Sequence, residues 1–159
     1  MNQTILGPSS EYDDLWDRPG FLIRRLHQIH VGLFAEEFSE CDLTAVQYAV
    51  LSILEKNSGL DQLSLSMAVG VDRVSGADVI RRLVGRGLVS RQVSKTDRRA
   101  KIVEITRAGR AMVRNLRPAM QRAQERLIAP LTIKERKYFL DILYRLIEAN
   151  NDASRAPMT

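Results

Sequence analysis

The chain has a single cysteine, Cys41, so no internal disulfide framework can staple it. Its two histidines, His27 and His30, lie three residues apart, and no Ser-His-acid set, metal triad or glycine-rich phosphate loop accompanies them. An enzyme is therefore not expected, and neither a metal site nor a cofactor is indicated. No apolar run approaches the length of a membrane span. The N-terminal stretch MNQTILGPSSEYDD is acidic and lacks the charged-then-apolar pattern of a secretion signal, which makes a cytoplasmic protein the expectation. There is no internal repeat and no low-complexity tract. With 159 residues, 45% of them hydrophobic and 27% charged, the composition is that of one globular domain, or one domain with an extension.

The net charge of +5 conceals a strong asymmetry. Residues 1–72 carry 4 Lys/Arg against 11 Asp/Glu, whereas residues 73–117 carry 13 against 3. Scattered charges belong to a solvated face. A swing of this size within one segment points instead to a polyanionic partner.

Helix signals punctuate the chain. Asp17 and Pro19 mark a start, and Leu22, Leu26, Ile29 and Leu33 follow at helical spacing, with Ile23, His27, His30 and Phe34 as an adjacent stripe. A helix over about 19–38 that is apolar on more than one side suits burial against a second chain as well as its own core. Thr44 and Gln47 have the spacing of a capping box for a second helix, whose buried face is expected to be Val46, Val50, Ile53 and Leu54. A third short helix is expected over about Asp61–Val69, with Leu65 and Ala68 inward. Asp72 can cap a fourth, over about 73–86, with Val79, Ile80 and Leu83 on its core side and Gly87 as its stop. LVSRQV and KIVEIT read as strands joined by the polar, basic tip SKTDRRA. Thr106 caps a fifth helix in which Pro118 predicts a kink or local break. Thr132 and Glu135 form a capping box for a sixth.

The fold class that results is mainly α with a small β-hairpin wing. A short helix with a basic outer face, a glycine stop and a hairpin with a charged tip make the outline of a winged helix-turn-helix. If Val79, Ile80 and Leu83 face the core, Val74, Ser75, Asp78, Arg81 and Arg82 face outward, where an α-helix can enter the major groove of duplex DNA. Arg73 can reach a phosphate or a guanine edge; Arg81, Arg82 and Arg86 suit phosphate contact, which positions a protein without reading sequence. At the hairpin tip stand Lys95, Asp97, Arg98 and Arg99. A guanidinium there suits the negative potential of a narrow minor groove. Asp97 either orients Arg99 through a charge-assisted hydrogen bond or initiates the turn.

The segment GVDRVSGADVIRRLVGRGLVSR, followed by DRRAKIVEITRAG, resembles the MarR family of bacterial transcriptional regulators. DLTAVQYAVL resembles that family's second helix and LTIKERKYFLDIL its last, so the resemblance covers about residues 19–148. It implies a homodimer whose first, fifth and sixth helices interlock around a two-fold axis, with a winged helix-turn-helix lobe on each side. It implies a palindromic operator on double-stranded DNA, usually under repression, with Arg99 as the minor-groove residue and Asp97 beside it in the wing motif. The corresponding organisation is a flexible leader over 1–18, a helical dimerisation region over 19–43 and 107–149, a DNA-binding lobe over 44–106 and a flexible tail over 150–159. One departure stands in the middle of the recognition helix, where Gly76, Ala77 and Asp78 replace the family's hydroxyl and basic side chains. Asp78 can accept from a cytosine amino group or pair with Arg81 and Arg82 three and four residues on, and the second option is preferred.

The same resemblance implies a pocket for a small aromatic acid between the dimer helices and the lobe, and WDRPGFLIRRLHQIHVGLF is similar to regulators of aromatic or N-heteroaromatic acid catabolism, nicotinate breakdown among them. Trp16, Arg18, Phe21 and Arg24 bring aromatic rings and guanidinium groups together, a mix that suits a planar carboxylate. His27 and His30 are expected to be partly buried, either against such a ligand or as dimer-interface residues. Redox sensing through Cys41 is an alternative, disfavoured by Glu40 and Asp42 beside it. A low-specificity architectural DNA binder is another; the expected location of the regulator is the cytoplasm, on the nucleoid when bound to DNA.

Overall fold

Thr44, Asp72, Thr106 and Thr132 each cap a helix in the computed structural model, which describes residues 13–93 and 101–157. In the box at Thr44, its hydroxyl accepts from the Gln47 N–H at 3.2 Å and the Gln47 amide oxygen accepts from the Thr44 N–H at 2.9 Å. Each such bond satisfies a donor that a helix start would otherwise leave bare. The elements are α1 (Asp13–Trp16), α2 (Pro19–Glu37), α3 (Ala45–Lys56), β1 (Leu60–Asp61), α4 (Gln62–Ala68), α5 (Arg73–Gly85), β2 (Val89–Val93), β3 (Lys101–Ile105), α6 (Arg107–Ile128) and α7 (Ile133–Ala149).

Several details differ from the sequence-based expectation. Residues 13–16, assigned to a leader, form the helical turn α1. In the tail, Asn151–Ala153 form a 3₁₀ turn and Ala156 is buried. Two residues of β1 pair with β3, Leu60 with Val103 and Asp61 with Ile102, so the sheet has order β1-β3-β2. A two-residue strand is too short to show a period, which is why its sequence is silent. On α3 the fully buried set is Val50, Leu51 and Leu54, joined by Gln47 and Tyr48, while Val46 and Ile53 are half-buried. Ala68 is exposed: the α4 positions that face in are Leu65 and Ser66, and one turn after Leu65 comes Val69. Helix α6 runs through Pro118 without a break. The proline deprives the Arg114 carbonyl of its helical N–H, but both residues lie on the solvent side, where water can serve that carbonyl.

The core of the lobe joins Leu51 and Leu54 of α3, Leu65 of α4, Ile80 and Leu83 of α5, Val103 of β3 and Val113 of α6, all at most 1% exposed. The end of α2 is anchored to it by rings. Phe34 and Phe38 stack at 3.9 Å, and Phe38 meets Tyr48 edge-on at 5.5 Å. Helix α5 ends where Gly87 takes φ +68°, with its N–H on the Val84 carbonyl and the Leu88 N–H on the Leu83 carbonyl, the reciprocal pair that closes a helix and turns the chain into β2.

Gly76 sits buried where α5 crosses α4, facing Ser66 and not solvent. A Cβ on it would lie 2.6 Å from Ser66 Cβ and closer still to the hydroxyl. Gly76→Ala is therefore expected to destabilise the chain by about 1–3 kcal/mol through overpacking. Gly85→Ala, at the last turn of the same helix with nothing within 4 Å, should instead be neutral or add up to about 0.5 kcal/mol through helix propensity. Urea denaturation of the two variants checks the contrast.

Candidate nucleic-acid interface and ligand-facing helices

With Gly76, Ile80 and Leu83 turned inward, the opposite stripe of α5 is set by helical geometry. On it Val74, Arg81 and Arg82 are exposed and Asp78 is half-buried, while Arg73 and Ser75 flank it, exposed at the open first turn. Asp72 accepts from the Val74 and Ser75 N–H groups at 2.9 and 3.0 Å, and the Ser75 hydroxyl donates to its second oxygen at 2.6 Å. That hydroxyl and the two amides hold the Asp72 carboxyl below the usual carboxylate range. Asp78 pairs within the helix: Arg81 donates to Oδ1, and Arg82 Nε donates to Oδ2 at 2.8 Å. The two guanidinium groups, Arg81 foremost, keep its carboxyl ionised. Arg86 turns back to the Asp42 carbonyl on the α2–α3 connection and so braces the end of α5.

The hairpin register is Val89–Ile105, Ser90–Glu104, Arg91–Val103, Gln92–Ile102 and Val93–Lys101. Lys95, Asp97, Arg98 and Arg99 lie outside the described residues. The exposed Arg91 and Lys101 on its strands extend the positive charge and were not among the residues singled out from sequence; the only signal for them was the excess of cations over residues 73–117.

The residues expected to meet a ligand fall into two groups. Trp16 and Phe21 meet edge-on, with ring centres 5.0 Å apart, around the α2 start where Arg18 occupies the cap position. Arg18 and Arg24 are exposed. His27 and His30 have ring centres 6.5 Å apart and line a different space, a groove of about 450 Å³ between α2, α6 and α7 with Ile23, Gln124, Leu127 and Phe139. His30 is half-buried with Nε2 3.2 Å from Gln124 Nε2, but His27 is exposed, contrary to expectation, because the groove it lines is open to solvent in the single chain. No residue of the lobe lines this groove. The described residues hold no group of three His, Cys, Asp or Glu that could bind a metal. Burial pushes the half-buried Cys41 thiol up, away from the thiolate that redox sensing needs.

A second cavity, of about 430 Å³, opens where the end of α2 meets α6, beside Cys41, Asn115 and Pro118. Ion pairs fasten this junction. Arg122 Nε meets Glu37 at 2.7 Å, and Arg126 reaches both Glu36 at 2.6 Å and Glu37 at 3.0 Å. Arg122 and then Arg126 hold the Glu37 carboxyl low. One turn of the chain away, Arg117 pairs with Glu55 of α3 at 2.7 Å and Arg110 donates to the Glu55 carbonyl.

A helical pair, α4 and α5, followed by a hairpin wing defines a winged helix-turn-helix, a class of DNA-binding lobe. The MarR family model matches residues 43–101, which is that lobe. The likeness extends over the helices outside it. The HTH-type transcriptional repressor NicR of Pseudomonas putida is 29% identical over 140 residues, covering 88% of this chain and 89% of NicR. The transcriptional regulator PcaV of Streptomyces coelicolor, solved in complex with its natural ligand, is 37% identical with a TM-score of 0.80 and covers 86% of this chain and 96% of its own. BpsR of Bordetella bronchiseptica, whose DNA binding is regulated by 6-hydroxynicotinic acid, is 28% identical with a TM-score of 0.79, covering 88% and 97%. The chain belongs to the MarR family of transcriptional regulators. Among the described residues no helix is long and apolar enough to cross a membrane.

His30 carries a pH prediction. Burial, and secondarily the neighbouring His27, hold its imidazole below the ordinary value of 6.5. The unfolded chain thus takes up the proton before the folded one does. The contribution of neutral His30 is complete above that value and is lost as pH falls through it toward the lower folded pKa. Urea denaturation is expected to give lower stability at about pH 5.5 than at about pH 7.5, with His30→Gln removing part of the slope.

Proposed function

We propose that this chain acts as a homodimeric, sequence-specific transcriptional repressor that holds a palindromic operator and is released from it by a small aromatic carboxylate. The observation that carries the DNA reading is the outward stripe of α5, set in a segment with 13 cations against 3 anions. Base edges would be met first by Arg73 and Val74 and phosphates by Arg81 and Arg82, with Ser75 and Asp78 on the DNA-facing surface but bonded within the helix. The wing residues Lys95, Asp97, Arg98 and Arg99 would meet the minor groove and its rim.

Dimerisation is supported by faces that a single chain leaves uncovered. Helix α7 has no buried residue, and Leu140, Leu146 and Ile147 are each about half exposed on it. Leu22, Ile23 and Ile29 of α2 are open as well. Apolar stripes of this extent are stable against another helix and unfavourable in water. In this reading 19–43 and 107–149 make the dimer and 44–106 the DNA-binding lobe. A two-fold pair presents its recognition helices about one turn of duplex, roughly 34 Å, apart.

A planar acid suits the rings and guanidinium groups of Trp16, Arg18, Phe21 and Arg24, the separate groove of His27 and His30 is a second candidate place for it, and the ligand-regulated DNA binding of BpsR supports that class. A nicotinate or benzoate derivative fits it. Near-complete release requires the ligand to prefer the non-binding state by about 5.5 kcal/mol, shared between two sites.

Sedimentation should give twice the 18.0 kDa chain mass, and Ile147→Glu, exposed in the single chain, should yield a folded monomer. Fluorescence anisotropy with a duplex enriched from random sequence should show salt-dependent binding that 6-hydroxynicotinate or a benzoate reverses. Binding that non-specific competitor DNA removes as easily as the enriched duplex would sink the sequence-specific reading.

A further inference from the structure

The first turn of α5 carries an apolar side chain that folding does not use. Val74 is 80% exposed. A β-branched residue is a weak helix former, so an exposed helical position gains nothing from it. Apart from Arg73, whose guanidinium suits a phosphate or a guanine edge, its neighbours are committed elsewhere. The Ser75 hydroxyl spends its proton on Asp72, and Asp78, one turn along the same stripe, is held by Arg81 and Arg82. Gly76 faces α4. Of the exposed side chains in this stretch, Val74 is the one whose surface is apolar, two methyl groups turned to solvent.

The residues at the start of a recognition helix are those that reach base edges. The apolar group on a base edge in the major groove is the C5-methyl of thymine. We propose that Val74 reads one thymine in each half-site through that methyl, so that part of the sequence preference is hydrophobic. This rests on the DNA-binding reading of α5 given above. Asp78, neutralised by two guanidinium groups, then adds no repulsion one turn along, and the surplus positive charge holds the helix near the phosphates while the valine meets the base.

The test uses the full-length chain and a duplex enriched from random sequence. Each thymine of the half-sites is replaced in turn by deoxyuridine, which removes the methyl and nothing else. At one position per half-site the replacement should weaken wild-type binding about fourfold, the worth of one buried carbon group. Val74→Ser should bind the thymine and deoxyuridine duplexes equally, while Arg73→Ala should lose affinity but keep the methyl penalty. Val74→Ala, a stronger helix former, should shrink the same penalty and guards against a folding defect, as do matched thermal melts. Wild-type binding indifferent to every deoxyuridine, or an undiminished penalty in Val74→Ser, overturns the proposal with the DNA-binding reading intact. Failure of any sequence to be enriched overturns both.

Discussion

The contact between Gly76 and Ser66 sets the angle at which α5 leaves the body of the lobe. With no side chain on Gly76 the two helices close until backbone meets side chain, and Ser66 ties its hydroxyl back to the Gln62 carbonyl at 2.8 Å. Ile80 and Leu83 then lock into the core, and the opposite stripe is held outward without further help. Everything that α5 could do with DNA depends on that stripe being presented at a fixed pitch. The departure at Gly76, Ala77 and Asp78 that looked from sequence like a loss of base-reading groups is in part a packing device. Gly76 never faces solvent, and Asp78 serves its own arginines.

The lobe is coupled to the long helices through two kinds of contact. Rings of Phe34, Phe38 and Tyr48 bury the end of α2 against α3. Charged pairs between Glu36, Glu37, Arg122 and Arg126 bind that same end to α6. Exposed ion pairs contribute little one at a time, so the apolar stack holds the joint and the ionic network chiefly selects its register. Glu55, bonded to both Arg110 and Arg117, repeats the arrangement from α3. A ligand that shifts α2 against α6 would work against these contacts, and the cavity beside Cys41 and Pro118 lies at that junction.

The remaining helices are incomplete as single-chain structure. α7 buries no residue, and the groove holding His27 and His30 is open. A helix is stabilised mostly by packing its apolar face, so these surfaces ask for the cover that the proposed two-fold partner would supply. In that setting His30, already discouraged from charging, would be further from water.

The sequence by itself determined the capped helix starts, the wing strands and the Ile80–Leu83 core side of α5, because capping residues, strand propensity and a 3.6-residue period act through neighbours in the chain. Thr44, Asp72, Thr106 and Thr132 needed nothing distant to be read, and the Asp78 pairing with Arg81 and Arg82 is likewise local. Tertiary structure alone decided the rest. Pairing of Leu60 and Asp61 with β3 depends on residues about forty positions away. The passage of α6 through Pro118 depends on which side of the helix faces water. Whether Gly76 meets DNA or α4, and whether His27 and His30 join Trp16 and Phe21 or lie apart from them, are questions of how helices cross. Such crossings are settled by volume and contact between elements, which no local spacing records.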